Sequence, residues 1–313
     1  MPRASIVISV FNAEKYIEQT LNSVLNQKFS DFECILIDDG STDNTANIIK
    51  SYSDSRIKYY WQNNSGGPAS PRNSGIRYSL GEYIFIFDAD DVMLPDKLGD
   101  SIAVLDSEPD VDFLFTNFSS IDEENGTINE NFLESYETFW RAIKGIPSVG
   151  GWVRLNTDTA LHALLQVNYI GTSSVVLRRS AISSADIFNE KLKNADDYLF
   201  WVTFIIKHNA IYLHKVLHKY RVQFEGISNR DNSRRAPSKI EVLSCLKEEY
   251  LHRGLKHIYQ KKLANEYLGM AYSFKKRNLH NEQKKYAYKS LSVKLSISAL
   301  WLYVRALISA MKS

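Results

Sequence analysis

The sequence predicts an α/β fold, in which an open sheet is flanked by helices and followed by a helical tail. Short β-branched or aromatic runs alternate with segments whose apolar residues recur at helical spacing, an order typical of parallel strands joined by helices. Residues 83–87 read Tyr-Ile-Phe-Ile-Phe, a wholly apolar run typical of a strand buried on both faces. We therefore predict this run in the middle of the sheet.

The first part of the chain alternates between predicted strands and helices. In order these are strand 4–11, helix 14–26, strand 32–37, helix 44–52 and strand 57–61. Each strand is rich in β-branched or aromatic residues, and the apolar residues of the first helix share one face, with Asn12 as its predicted cap. Strand, helix and strand in this order imply a parallel pair, whose ends point to the same edge of the sheet.

Three carboxylates follow the central strand: Asp88, Asp90 and Asp91. Ligands of open α/β sheets bind at the carboxyl ends of the strands. Three like charges this close repel one another unless a cation lies among them, and oxygen-only ligands suit Mg²⁺ or Mn²⁺. The cluster therefore predicts a divalent metal site. The alternative is that these aspartates cap the next helix, although a cap needs only one carboxylate.

A second acidic pair, Asp38 and Asp39, ends the second strand at the same predicted edge. We expect the residues after the pair to cap a helix, which leaves the pair itself free to meet a ligand. Residues 63–75 form a loop that runs into a helix, and Arg72 is the only charge in it. This arginine is a candidate contact for a diphosphate or a base, and a solvated surface arginine is the alternative.

The later elements are predicted in this order: helix 95–105, strand 111–118, a polar and aromatic insertion at 121–147, strand 171–177, helix 193–204 and strand 216–222. Charge separates this body from the tail. Residues 239–313 hold 15 basic and 5 acidic residues, whereas the remainder holds 23 basic and 31 acidic ones. The tail is therefore basic and the body acidic.

Several motifs in fixed order resemble those of the family 2 glycosyltransferases. The resemblance extends from about residue 4 to about residue 105. It rests on Ser-Ile-Val-Ile-Ser-Val-Phe-Asn from residue 5, Ile-Asp-Asp-Gly-Ser-Thr-Asp from residue 37, Pro-Arg-Asn-Ser-Gly from residue 71 and Phe-Asp-Ala-Asp-Asp from residue 87. It implies a GT-A fold with a Rossmann-like mixed sheet. It also implies inverting transfer of a sugar from a nucleotide diphosphate donor, most often a UDP-sugar, to a hydroxyl of a glycan or lipid-linked acceptor.

The resemblance also implies roles for the acidic residues and the arginine. Asp39 would bind the nucleotide base with Asp38 as a neighbouring contact, and Arg72 would help to hold the nucleotide. Asp88 and Asp90 would contact the ribose and the metal-bound diphosphate, and Asp91 with these two would hold Mn²⁺ or Mg²⁺. The sequence departs from the family pattern at Pro71, where a small residue is commoner, and this departure puts the aim of Arg72 in question.

A third acidic pair opens the helix predicted at 193–204. By resemblance its second member, Asp197, is the catalytic base, and Asp196 stands where Glu is commoner in the family. The apolar residues that follow would bury one side of the helix and leave its first turn at the edge of the site, where the helix dipole keeps a carboxylate ionised. Simple N-capping explains one of the two aspartates equally well.

Three further residues are candidates on the acceptor side, together with Asp196. Trp152 would stack on a sugar ring or pack in the core. Arg221 lies in the last predicted strand, and by resemblance it belongs with the serine of residues 225–228 to a loop that closes on the diphosphate. His218, in the same strand, is either a metal ligand or a strand residue.

The chain is predicted to divide into a nucleotide-sugar-binding half (1–118), an acceptor-binding half (119–230) and a basic helical tail (231–313). The last helix of the tail has a wide apolar face with basic edges, which suits either an anionic membrane surface or docking on the body. No apolar segment reaches the roughly 20 residues that a membrane span needs, and no motif indicates nucleic-acid binding. We expect a cytoplasmic protein, peripheral at the inner face of the plasma membrane.

Cys34 and Cys245 offer no disulfide framework, which fits that compartment. Two other functions compete with sugar transfer. Some phosphatases also carry an Asp-x-Asp motif after a central strand, but Asp91 departs from their pattern. A non-catalytic module that binds a nucleotide sugar or a membrane is the second alternative, and the complete set of Asp39, Asp91 and Asp197 argues against it.

Overall fold

The computed structural model describes residues 1–185, 187–223 and 231–310. Its packing divides the chain into two units, residues 1–190 with 197–223 and residues 191–196 with 224–313. The first unit contains the sheet and the second is helical. The predicted division at residue 118 falls inside one strand of the sheet, and the separate roles of the two halves stay a prediction.

The described part of the first unit contains one mixed sheet of ten strands. They are β1 (Ala4–Val10), β2 (Phe32–Asp38), β3 (Ile57–Trp61), β4 (Tyr83–Asp88), β5 (Val92–Met93), β6 (Phe113–Ile121), β7 (Thr127–Asn129), β8 (Trp152–Leu155), β9 (Val175–Arg178) and β10 (Ala210–Arg221). The main path runs β3, β2, β1, β4, β9, β6, β10, β5, while β7 pairs with β6 and β8 with β10. The predicted central strand therefore lies inside the sheet, as β4.

Four neighbouring strands, β3, β2, β1 and β4, are parallel, and β9 then runs antiparallel between β4 and β6. In register, Asp38 lies beside Val10, and Asp88 lies beside Ser9 on the other side of β1. The acids that end β2 and β4 therefore flank the end of β1 at one edge of the sheet. This confirms the prediction that the two acidic segments share an edge.

Seven helices accompany the sheet in the described sequence: α1 (Ile17–Leu25), α2 (Thr45–Lys50), α3 (Ala69–Tyr78), α4 (Lys97–Ser107), α5 (Glu137–Ile143), α6 (Thr157–Gln166) and α7 (Asp196–Ile205). Buried Ile17, Leu21 and Val24 of α1 join the apolar side chains of the strands in one core. Helix α3 lies directly on β1, because a Cβ added at Gly75 would come within 2.2 Å of Val7 Cγ1. These contacts fix the strand ends relative to one another.

The prediction that Asn12 caps the first helix is wrong. Helix α1 begins only at Ile17, and Tyr16 precedes it. Asn12 has a φ of +47°, in the left-handed region that Asn tolerates better than most residues. Its Oδ1 accepts a hydrogen bond from the backbone N–H of Thr42 at 2.9 Å. Asn12 therefore braces the loop after β1 against the loop after β2.

The second unit contains five helices among its described residues: α8 (Asn232–Cys245), α9 (Lys247–His252), α10 (Lys256–Lys276), α11 (His280–Val293) and α12 (Ile297–Ala310). Ala271, Ala287 and Leu302 form a small core between α10, α11 and α12. This confirms the prediction of a helical tail. None of the helices in the described ranges is both long and apolar enough to cross a membrane.

Candidate functional site

The acidic segment after β4 is held from two sides. The backbone N–H of Asp88 donates to Ser173 Oγ at 3.0 Å. Asp91 is fully buried, and its Oδ1 accepts the backbone N–H of Arg221 at 2.9 Å. Burial, followed by the charges of Asp90 and Asp88, raises the pKa of Asp91 well above its usual range. The segment is therefore rigid and strained by like charge.

The three carboxylates do not point at one centre. Asp88 Oδ1 lies 2.9 Å from the guanidinium of Arg72, and Gln223 Nε2 donates to the carboxylate of Asp90. Within residues 1–185, 187–223 and 231–310, no three carboxylate, imidazole or thiolate groups are gathered in a way that would hold a metal ion. Asp88 is turned towards an arginine, and a metal site built from all three aspartates stays a prediction.

The chemistry of the remaining oxygens still fits a divalent cation. Asp91 Oδ2 is buried and has no hydrogen-bond partner in the described part of the chain. Burial and the charge of Asp88 raise the pKa of Asp90 to about 6, and the opposing effects of Gln223 and Arg221 are smaller. Mg²⁺ and Mn²⁺ take oxygen ligands, and Mg²⁺ commonly takes only one or two of them from protein carboxylates. A metal role for Asp91 and Asp90 thus stays a prediction that the donor set allows.

Arg72 is buried, so the alternative of a solvated surface arginine is wrong. Besides its ion pair with Asp88, its guanidinium carbon lies 5.5 Å from the centre of the Phe188 ring. Pro71 does not displace the helix, because α3 already begins at Ala69. Proline is tolerated in the first turn, where the backbone N–H has no acceptor within the helix.

The carboxylates of Asp38 and Asp39 have different hydrogen-bond partners. Asp38 is fully buried, and its carboxylate accepts from the Tyr59 hydroxyl at 2.6 Å and from the Ser41 N–H at 2.8 Å. It therefore shapes the turn, which differs from the predicted contact with a ligand. Asp39 is held at the edge by Ser65, through its N–H and hydroxyl, and by Gln62 Nε2 at 2.7 Å.

Asp197 lies in the first turn of α7, and a short turn of the chain links it to the acidic segment after β4. The Thr172 hydroxyl donates to Asp197 Oδ2 at 3.3 Å. Thr172 belongs to the 3₁₀ turn Thr172–Ser174, whose next residue, Ser173, accepts the backbone N–H of Asp88. Two consecutive residues, Thr172 and Ser173, thus connect the predicted base to the acidic segment. Asp196 is buried and begins α7.

The other candidates lie in the interior. Arg221 is buried, with Nε donating to the carbonyl of Asp90 at 2.8 Å and the guanidinium 4.6 Å from the Tyr16 ring. It supports the acidic segment from behind, which differs from the predicted contact with a diphosphate. Trp152 is half-buried and packs against the core, as in the packing alternative. The predicted closing loop at 225–228 lies outside the described residues.

His218 is buried in β10 and stacks on Phe118, with ring centres 4.9 Å apart. Burial, together with the nearby charge of Lys97, lowers its pKa well below the usual range, so the imidazole is neutral. Stacking on Phe118 fits a strand residue, but Nδ1 is buried without a hydrogen-bond partner among the described residues, and a neutral imidazole is the form that binds metals. The choice between a strand residue and a metal ligand therefore stays a prediction.

Sequence reasoning missed four groups at this edge: Thr172, Ser173, Ser65 and Lys97. The run of small polar residues from 172 to 174 was a signal for the first two, because hydroxyls in such a run can hydrogen-bond to nearby backbone and carboxylate groups. Lys97 gave no signal, since a lysine at the start of a helix is usually solvated. It is fully buried instead, and burial lowers its pKa to about 7 although Asp91 opposes the shift.

A family model described as glycosyl transferase family 2 matches residues 5–221, more than half of the chain and nearly all of the unit that contains the sheet. The chain belongs to glycosyl transferase family 2. The match ends at Arg221 and includes every predicted site residue.

Three curated relatives of this family 2 chain bear names of sugar-transferring enzymes. Poly(ribitol-phosphate) beta-N-acetylglucosaminyltransferase TarS of Staphylococcus aureus is 27% identical in an alignment of 312 positions, which covers 96% of this chain and 48% of TarS. GalNAc(5)-diNAcBac-PP-undecaprenol beta-1,3-glucosyltransferase of Campylobacter jejuni is 25% identical, covering 98% of this chain and 94% of the relative. UDP-Glc:alpha-D-GlcNAc-diphosphoundecaprenol beta-1,3-glucosyltransferase WfgD of Escherichia coli is 29% identical, covering 72% and 79%. The chain thus spans about half the length of TarS.

Solved structures share the fold of this family 2 chain. TarS residues 1–349 of Staphylococcus aureus give a TM-score of 0.59 at 23% identity, covering 98% of this chain and 79% of that one. Mannosyltransferase PcManGT of Pyrobaculum calidifontis, solved with GDP-Man and Mn²⁺, gives 0.59 at 16% identity, covering 99% and 81%. The prediction of a GT-A-type mixed α/β fold with C-terminal helices is confirmed.

Proposed function

We propose that this chain is an inverting glycosyltransferase, which moves a sugar from a nucleotide diphosphate to an acceptor hydroxyl in a single displacement. The observation that carries the proposal is the turn Thr172–Ser174, which joins Asp197 to the acidic segment after β4. This connection supports a site in which Asp197 would serve the acceptor while the acids after β4 would meet the leaving group. A family in which sugar transfer is the common activity supports the same conclusion.

The donor would bind across the ends of β1, β2 and β4. Asp39 would accept a hydrogen bond from a nucleotide base, and its contacts with Ser65 and Gln62 support this role by fixing its carboxylate. Asp88 and Arg72 would contact the ribose and the diphosphate, where the planar guanidinium suits phosphate oxygens. The names of relatives favour a UDP-sugar, since WfgD is named for UDP-Glc and TarS has been solved with UDP-GlcNAc.

Mn²⁺ or Mg²⁺ would be held by Asp91 and Asp90, with Asp88 alongside and donor phosphates completing the ligands. When bound, such an ion would supply positive charge to offset the negative charge of the leaving diphosphate. The buried oxygen of Asp91 and the raised pKa of Asp90 support this assignment.

Asp197 would accept the proton of the acceptor hydroxyl while the hydroxyl oxygen forms its bond to the anomeric carbon. The bond from that carbon to the diphosphate oxygen breaks in the same step, and the nucleotide diphosphate leaves with the bonding electron pair. Thr172 would orient the carboxylate by donating to its second oxygen. The position of Asp197 in the first turn of α7 favours its ionised form.

The acceptor class is proposed from the relatives. Two of them are named for undecaprenol-linked substrates and one for poly(ribitol phosphate). We propose a glycan or a lipid-linked glycan as acceptor, which would bring the enzyme to a membrane surface on the side that supplies nucleotide sugars.

Calorimetric titration of the purified chain with UDP, TDP, GDP and CDP, each with and without Mn²⁺, tests the donor site. We expect one nucleotide to bind, and to bind more tightly with Mn²⁺. The sugar donors of that nucleotide are then incubated with lipid-linked and polysaccharide acceptors, and release of the nucleotide diphosphate is followed. Failure of all four nucleotides to bind would overturn the donor site. Binding without turnover of any donor would favour the non-catalytic module instead.

A further inference from the structure

Helix α12 is apolar on two faces. Its inner face is fully buried at Ala299, Leu302 and Ala306, and Leu302 belongs to the core of the second unit. Its outer face carries a second apolar set, between 43% and 89% exposed: Ile297, Leu300, Trp301, Val304 and Ile308. These five residues, which we call the outer stripe, recur at spacings of three and four and so lie on one side of the helix.

Single exposed apolar residues are normal on protein surfaces, whereas a continuous set marks a surface that binds something apolar. The outer stripe makes up five of the 14 residues of α12. Trp301, Val304 and Ile308 also line a groove on this side of the helix. The stripe is therefore a candidate binding surface rather than scattered exposure.

Two cations lie beside the tryptophan of the outer stripe. Lys275 Nζ lies 4.4 Å from the centre of the Trp301 ring, and the guanidinium carbon of Arg305 lies 5.3 Å from it. Residues 283–313 contain six lysines and arginines and neither aspartate nor glutamate. An indole flanked by cations and bordered by aliphatic side chains matches the boundary of a bilayer, where tryptophan is enriched and cations meet anionic headgroups.

We propose that the outer stripe of α12 binds the surface of an anionic phospholipid bilayer. With 14 residues the helix is about 21 Å long, shorter than the roughly 30 Å hydrocarbon core, so it would lie in the interface and not cross it. The apolar side chains would enter the boundary between headgroups and acyl chains, and Lys275 and Arg305 would remain at the phosphates. This inference is independent of the proposed transferase activity.

A second copy of the chain fits the stripe less well. A two-fold symmetric contact would bring Lys275 and Arg305 of one copy towards those of its partner. The last 31 residues supply no carboxylate to compensate that charge. Anionic lipid supplies the missing negative charge over the whole surface.

The test is co-sedimentation of the full chain with phosphatidylcholine vesicles, with and without phosphatidylglycerol. We expect binding to the anionic vesicles that weakens as salt is raised. The Trp301→Ser/Val304→Ser double variant should lose affinity by about tenfold or more, because apolar burial is lost. Lys275→Ala and Arg305→Ala should each lose roughly fivefold.

Ile128→Ser is the matched control, because Ile128 is a similarly exposed aliphatic residue on β7 of the first unit. It should bind vesicles as the unchanged chain does, and circular dichroism should show that all variants are folded. Absence of binding to anionic vesicles, or unchanged binding by the double variant, would overturn the proposal. Dimerisation of the unchanged chain that the double variant alone abolishes would also overturn it, because the stripe would then bind a second copy. Nucleotide titration of the same samples reports separately on the donor site.

Discussion

At the scale of single residues, the Asp197 carboxylate is the group on which the proposed chemistry depends. Asn has nearly the same size as Asp and cannot accept a proton from an attacking hydroxyl. Asp197→Asn should therefore lower transfer by about 10²–10⁴-fold, the usual contribution of a general base. Affinity for the nucleotide should change little, because Asp197 would contact the sugar-accepting substrate and not the nucleotide. Release of nucleotide diphosphate and calorimetric titration measure the two effects.

Asp158→Asn is the matched control, because Asp158 also lies in the first turn of a helix, α6. It should keep the transfer rate of the unchanged chain. Transfer at full rate by Asp197→Asn would remove the base assignment and move the search to another acid.

Thr172 is proposed to act on Asp197 through a single hydrogen bond, as a positioning residue. Thr172→Val keeps the shape of the side chain but removes the donor. A hydrogen bond of this kind contributes about 0.5–1.5 kcal/mol, so kcat should fall roughly threefold to tenfold with KM for the donor nearly constant. Thr172→Ser restores the hydroxyl and should restore kcat. A fall in stability without a fall in kcat would show that the threonine only packs.

At the scale of elements, the close approach of α3 to β1 fixes the position of Arg72. Gly75→Ala would bring a Cβ to 2.2 Å from Val7 Cγ1 within a buried contact. We expect a loss of about 1–3 kcal/mol in the free energy of unfolding, measured by urea denaturation. Val7→Ala in the same chain should relieve the clash, so the double variant should be more stable than additivity of the two changes predicts.

Gly99→Ala is the matched control for this contact. Gly99 also lies in a helix, α4, but its nearest heavy atom to an added Cβ is Phe29 Cβ at 4.0 Å. Since Ala has the higher helix propensity, this change should leave stability equal or raise it. Strict additivity of Gly75→Ala and Val7→Ala would contradict the clash.

At the amino ends of the strands, Glu33 of β2 links β1, β3 and the loop before β4. Its carboxylate accepts from Ser5 Oγ at 2.6 Å, from the Leu80 N–H at 2.7 Å and from Lys58 Nζ. Burial alone would raise the pKa of Glu33, but the hydrogen bonds outweigh it and lower the pKa below the usual value. The resulting stabilisation is present above the pKa of an unfolded glutamate and is lost as pH falls through the lower folded value.

Glu33→Gln should therefore destabilise the chain at pH 7 by about 1.5–3 kcal/mol, because charged hydrogen bonds become neutral ones. The difference from the unchanged chain should shrink when urea denaturation is repeated at about pH 3.5, where the unfolded carboxyl is mostly protonated. An equal difference at both pH values would contradict the sign of the shift.

At the scale of the whole molecule, the shared edge of the acidic segments followed from the sequence. A strand, a helix and a strand in this order favour a parallel pair with a right-handed crossover. The ends of β1 and β2 therefore point to one edge of the sheet, where β4 also ends on the other side of β1. The run at 83–87 was equally clear, because five consecutive apolar β-formers fit few other environments. Local pattern and global topology agree at these elements.

The sequence was less informative where contacts between distant parts of the chain determine the role of a side chain. Asn is a common helix-capping residue, but the side chain of Asn12 instead accepts a hydrogen bond from Thr42 in the loop after β2. Arg is a residue type that often contacts phosphate ligands, but the guanidinium of Arg221 lies among backbone carbonyls and the ring of Tyr16. The turn at 172–174 brings together acids that lie far apart in the chain, and no local spacing encodes such a contact.

The antiparallel strand β9 between β4 and β6 has a consequence for synthesis on the ribosome. β4 and β6 are complete long before β9 emerges, yet each of them pairs with β9 and not with the other. A nascent chain that ends before Arg178 therefore presents unpaired backbone groups on both strands, the kind of edge that recruits foreign strands. It also lacks Thr172 to Ser174 in their folded setting. The nascent protein therefore remains prone to aggregation at these two strands until β9 emerges, and Asp197 and β10 emerge later still.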